Sequence, residues 1–135
     1  IKEKENLRNV TLLPSVPKSE VLRYIALSDA ALVNLRKSDT FKAVLPSKIF
    51  ENAAMQRPIL LGVEGEAKTL VGQYGAGICF EPEHEAAFLA AMERLRDPGF
   101  YQECQSGCAQ LAADFDRQTL AAKMLEVLRE VVAER

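Results

Sequence analysis

Ser47, Lys48 and Glu51 are the residues whose types and spacing could do chemistry in this sequence. They sit in the stretch VLPSKIFENAAMQRPILLGVEGEA, residues 44–67. Pro46 and Ser47 read as a helix start, which puts Lys48 in the first turn. A cation there stands at the wrong end of the helix macrodipole. A bound anion would reverse that penalty, because backbone N–H groups and a hydroxyl at a helix start form an anion cradle. Glu51 lies four residues after Ser47, on the same helix face. A carboxylate repels phosphate but accepts hydrogen bonds from a vicinal diol such as a ribose. Phosphate plus ribose reads as a nucleotide.

Ordinary roles exist for the same residues. Glu51 would complement the macrodipole from the first turn, Lys48 would be solvated, and Ser47 would be an N-cap. Gly62 and Gly65 in GVEGE either bring main chain close to a ligand or simply make a turn.

The rest of the chain must position this helix start. It has 135 residues, enough for one domain with a core. It is 48% hydrophobic and 27% charged, as in a globular protein. A net charge of −2 gives no electrostatic footprint for nucleic acid or anionic membrane. No apolar run approaches a membrane span, and no signal peptide is visible. Three cysteines, Cys79, Cys104 and Cys108, make an odd count without metal-type clustering. A reducing, cytoplasmic setting is expected from that. The chain begins at Ile1 and runs straight into KEKEN, so a piece of something longer is expected.

Strands are expected at 9–13 (NVTLL), 30–35 (AALVNL), 58–62 (PILLG) and 76–80 (AGICF). The second and third read as continuous apolar runs, typical of strands buried on both faces. Helices are expected at 17–28, with Val21, Leu22, Ile25 and Ala26 on one face, at 47–56, with Ile49, Phe50, Ala53 and Ala54 inward, and within 64–74. Glycines 72, 75 and 77 act as stop signals. Three helices follow at about 84–96, 99–114 and 117–133, punctuated by DPG at 97–99 and by Asp116 as an N-cap. Strand–helix alternation argues a Rossmann-like α/β layer, a parallel sheet with flanking helices. Ligands bind beyond the carboxyl ends of such strands, which points to the loops 35–47, 62–66 and 80–84.

His84, the sole histidine, reads as a surface residue near a helix start. Cys104 and Cys108 share one helix face and read as small buried hydrophobes. Leu120, Met124, Leu128 and Val131 form a stripe on the last helix that exceeds what one small sheet face needs, so part of it should be exposed or buried in a dimer.

NVTLLPSVPKSEVLRYIALSDAALVNLR, LPSKIFENAAMQRPILLG, GEAKTLV, GAGICFEPEHEAAFLAAMERLRDP and FDRQTLAAKMLEVL, in that order, resemble the carboxyl-terminal domain of retaining glycosyltransferases of the GT-B fold. These belong to the large group that builds bacterial polysaccharides and lipid-linked sugars, and the resemblance covers nearly the whole chain. It implies two Rossmann-like domains facing across a cleft, with the carboxyl-terminal one binding a UDP- or GDP-type sugar donor. Glu51 matches the glutamate that holds the nucleotide ribose. Ser47 and Lys48 fall beside the diphosphate and sugar, Lys48 as a stabiliser of the leaving diphosphate. Gly65, Glu66 and Ala67 match the next donor loop. No metal or cofactor is implied. The acceptor would be a glycan or lipid-linked sugar, and the missing domain would carry any peripheral attachment to the inner membrane.

The sequence departs from that pattern at Ala43, where many relatives carry a second glutamate near the transferred sugar. The strand–helix–strand–helix segment that supplies a basic pair, and the acceptor domain, have no counterpart in residues 1–135. The implied reading is therefore an incomplete donor-binding domain, inactive alone. Its sheet would be 31–35, 58–62 and 77–80 with an open edge at 31–35 and strand 10–13 displaced. That edge or the last helix could serve a dimer. The alternatives are a nucleotide-sugar epimerase of the same fold and a non-catalytic interaction module.

Overall fold

Parallel strands order this chain, which a computed structural model describes over residues 7–133; the opening charged run lies outside them. Strands β1 (Ala31–Asn34), β2 (Ile59–Gly62) and β3 (Gly77–Cys79) pair in parallel in the order β1-β2-β3. Ala31 pairs with Ile59, and Ile59 with Gly77. Helices α1 (Lys18–Leu27), α2 (Lys48–Ala54), α3 (Glu66–Tyr74), α4 (Glu85–Arg94), α5 (Pro98–Asp114) and α6 (Arg117–Ala133) flank or follow the sheet. A short 3₁₀ turn, Asp39–Ala43, interrupts the loop between β1 and α2. The result is α/β with a small open parallel sheet, compatible with a Rossmann-like layer.

The period-2 alternation of β2 organises the core. Ile59 and Leu61 point into one cluster with Ile49 and Ala53 of α2, Ala67 and Val71 of α3, and Cys108 and Leu111 of α5. Leu60 points the other way, onto Ala91, Leu95 and Cys104. All four β2 residues are buried, as expected of a central strand. Gly77 permits the close approach of β3: a Cβ there would overlap the Ile59 backbone. Gly75 ends α3 in the left-handed region at φ 61°. The Cys108 thiol donates to the Ala76 carbonyl at 3.2 Å. Asp116 caps α6 as expected, its Oδ1 accepting from the Gln118 and Thr119 amides.

Four expectations fail here, one of them Ala54, expected inward on α2 but exposed. Residues 9–13 form no strand; Leu12 and Leu13 are 73% and 60% exposed. A β-rich run becomes a strand only when it pairs with a neighbour, and no described hydrogen bond joins these residues to β1. Second, β1 is not buried on both faces. Val33 is buried, but Leu32 is 53% exposed, because the α4 side of the sheet is covered over β2 and left open over β1. Third, α1 buries no residue completely and Leu22 is exposed. The Arg57 guanidinium ties α1 down by donating to the Ala26 carbonyl at 2.7 Å.

β1 forms one edge of the sheet. The Ala31 and Leu35 amides donate to the Pro58 and Gly62 carbonyls, so the Leu32 and Asn34 main-chain groups face the open side. Among the described residues no helix is long and apolar enough to cross a membrane.

Candidate functional site

The connections from β1 to α2 and from β2 to α3 leave the carboxyl ends of their strands, which puts the starts of both helices at the carboxyl side of the sheet. Ser47 occupies the N-cap position of α2, but in helical geometry (φ −56°, ψ −27°) and with no side-chain cap bond. That corrects its expected capping role. The turn tightens instead, with the Ile49 amide donating to the Pro46 carbonyl and the Phe50 amide to that of Ser47. The anion cradle at α2 therefore loses two of the amides that an open helix start would present. The start of α3 keeps its own. Its N-cap, Gly65, has no side chain to offer, and the Glu66, Ala67 and Lys68 amides make no hydrogen bond among the described residues.

Ser47 and Glu51 come together as the spacing required. Both line a groove of about 520 Å³ between α1, α2 and the α5–α6 junction, alongside Leu22, Phe50, Phe115 and Arg117. Phe50 and Phe115 pack with ring centroids 5.1 Å apart and make its apolar wall. The Glu51 carboxylate takes part in no ion pair or hydrogen bond among the described residues. Arg117 brings a cation to the same groove. It escaped the sequence reading because only the packing of α6 against α5 brings it opposite α2.

Lys48, Gly65, Glu66 and Ala67 do not line this groove. Lys48 and Glu66 are exposed in the first turns of their helices. Ala67 is fully buried in the core, so its methyl group cannot face a ligand and only its amide could. Gly65 is held at φ +75° against the Lys42 backbone.

The 35–47 and 80–84 loops add charge to the rim. Lys37 pairs with Glu81 at 2.7 Å, and Lys42 with Asp39 at 2.7 Å. The hydrogen bond from Lys37 holds the Glu81 carboxyl below its usual range, and that from Lys42 does the same to Asp39. Both lysines are pushed up by those same bonds. These pairs are exposed and contribute little to stability. The sequence placed both lysines in the 35–47 loop without singling either out. Their signal was position: both fall beyond the carboxyl end of a strand.

No protein-family model, curated protein or solved structure matches this chain.

A second hollow of about 290 Å³ lies over the uncovered side of β1, lined by Leu32, Asn34, Phe80, His84 and Phe88 among others. His84 is exposed, as expected, and caps α4: its Nδ1 accepts from the Ala87 amide at 3.0 Å. Among the described residues no group of three or more His, Cys, Asp or Glu side chains is placed to hold a metal.

Proposed function

We propose that this chain is the donor-binding domain of a glycosyltransferase that moves a sugar from a UDP- or GDP-type donor to an acceptor hydroxyl with retention. The observation that carries this reading is Glu51: an unpaired carboxylate on a groove wall, one helical turn beyond a helix start at the carboxyl side of a parallel sheet.

The chemistry follows from that placement. The ribose 2′ and 3′ hydroxyls donate to Glu51, and the apolar wall of Phe50 and Phe115 flanks the sugar and base. One turn back along α2 is about 5.4 Å, which brings the phosphates to Ser47 and Lys48. The unspent amides of α3 and the rim lysines supply further donors to the diphosphate. As the glycosidic bond to the donor breaks, negative charge grows on the leaving diphosphate. Groups fixed to meet that charge lower the barrier because they interact more strongly with the transition state than with the ground state. Lys48 is assigned that part.

Calorimetric titration of the chain with UDP, GDP and their sugar conjugates tests the reading. The expected result is weak saturable binding that Glu51→Ala abolishes. If neither nucleotide binds, or Glu51→Ala binds as the parent sequence does, Glu51 is only a carboxylate at a helix start.

A further inference from the structure

The direction of α5 decides which side chains close the far wall of the groove that holds Ser47 and Glu51. Just past the end of α2, the Gln105 side-chain amide donates to the Gln56 carbonyl at 3.4 Å, and the Cys108 thiol to the Arg57 carbonyl at 3.4 Å. At the other end of α5, Phe115 packs on Phe50 in the first turn of α2, with ring centroids 5.1 Å apart. Helix α5 therefore runs antiparallel to α2, and its end arrives beside the start of α2. Arg117 follows there as the first residue of α6. Leu120 also lines the groove, whereas Met124, Leu128 and Val131 lie exposed farther along α6.

A guanidinium thus stands at the same end of the groove as Ser47, on the facing wall. Among the described residues Arg117 is the only cation that lines this groove. It is exposed and makes no ion pair among the described residues, although Glu51 and Asp116 share the groove with it. Asp116 is engaged at the helix start, where its Oδ1 accepts from the Gln118 and Thr119 amides. A guanidinium presents a rigid fork of donors that fits phosphate oxygens two at a time, which an ammonium cannot do. With a ribose on Glu51, the phosphates lie one turn back along α2, towards Ser47. That is the end where Arg117 stands. Lys48 reaches the same end from the rim and does not line the groove.

We propose that Arg117 grips the diphosphate of the bound nucleotide from the wall opposite α2, its fork spanning oxygens of both phosphates. Arg117 has this part only if the groove holds a nucleotide, the reading that Glu51 carries. The two residues then divide the ligand: Glu51 holds the ribose, and Arg117 distinguishes a diphosphate from a monophosphate.

Titration of the chain and its variants with UDP and GDP, and with UMP and GMP followed by ligand-observed nuclear magnetic resonance, tests this division. Arg117→Ala should weaken diphosphate binding about tenfold and monophosphate binding by less, so the ratio of the two affinities falls. Glu51→Ala should weaken both alike and leave that ratio unchanged. Arg117→Lys should recover part of the loss, because the charge remains and the fork does not. The melting temperature of Arg117→Ala should match that of the parent sequence, since the side chain is exposed and unpaired among the described residues. If neither diphosphate binds the parent sequence, the nucleotide reading fails and the part of Arg117 goes with it. If a diphosphate binds and Arg117→Ala binds it equally well, only the assignment of Arg117 is overturned. Equal losses for diphosphate and monophosphate in Arg117→Ala overturn it too, because a residue acting on the ribose, the base or the fold would behave that way.

Discussion

Gly65 rests against the backbone of Lys42, so close that a Cβ on Gly65 would overlap the Lys42 carbonyl. The contact joins the loop after β2 to the 3₁₀ turn after β1. It holds together two loops at the carboxyl side of the sheet. Gly65 also sits at φ +75°, a conformation that L side chains rarely adopt.

Gly65→Ala should therefore cost stability twice, through the strained backbone and through the clash. A loss of about 2–4 kcal/mol is expected, measured by urea denaturation. Gly72→Ala is the control. Gly72 lies inside α3 with open space around it, so alanine there should stabilise by roughly 0.5–1 kcal/mol. Equal effects at both sites would mean that the Gly65–Lys42 contact is not made in solution.

Glu51→Gln should bind nucleotide better than Glu51→Ala. The amide oxygen still accepts one hydrogen bond, whereas the methyl group accepts none. Charge-assisted hydrogen bonds contribute roughly 1.5–3 kcal/mol each, so Glu51→Ala should weaken binding by about one to four orders of magnitude. Titration with nucleoside diphosphate reads this directly. Because Glu51 makes no contact with another charged group among the described residues, its removal should leave the melting temperature within a few degrees of its starting value.

Leu111 is fully buried where α5 crosses the sheet face, and Leu27 is 85% exposed at the end of α1. Leu111→Ala should destabilise by about 2–5 kcal/mol through lost transfer energy and a cavity. Leu27→Ala should stay within about 0.5 kcal/mol of the parent sequence. Equilibrium unfolding of the two variants side by side checks the burial pattern.

The cysteines give a pH signature. Burial pushes the Cys108 thiol up to about 12, and raises those of Cys104 and Cys79 as well. Above the ordinary thiol range the unfolded chain releases these protons while the folded chain keeps them. The thiol contribution to stability should therefore be flat below about pH 8.5 and fall as pH rises from there towards about 12. Native Cys104 and Cys108 should resist iodoacetamide at pH 8 and react once urea unfolds the chain, as mass spectrometry would show. Rapid native alkylation of Cys108 would contradict its burial.

Local sequence determined much of this molecule. The apolar runs at 31–34, 59–62 and 77–79 became the strands, and Asp116 and Gly75 ended or began helices where their chemistry required. Periodicity, caps and stop signals act over a few residues, so they can be read without the fold. The pairing of Ser47 with Glu51 on one groove was legible for the same reason: four residues is one helical turn. Contacts between distant segments were not legible. Residues 9–13 have strand composition but make no hydrogen bond to the open β1 edge. Ala67 lies in a loop-side helix yet faces the core, and Arg117 reaches the groove only because the α5–α6 junction folds beside α2. Leu32 belongs to a run that reads as buried, and the absence of a covering helix over β1 leaves it half in water. Which face of an element meets another depends on how distant elements pack, and that is decided by the whole chain at once.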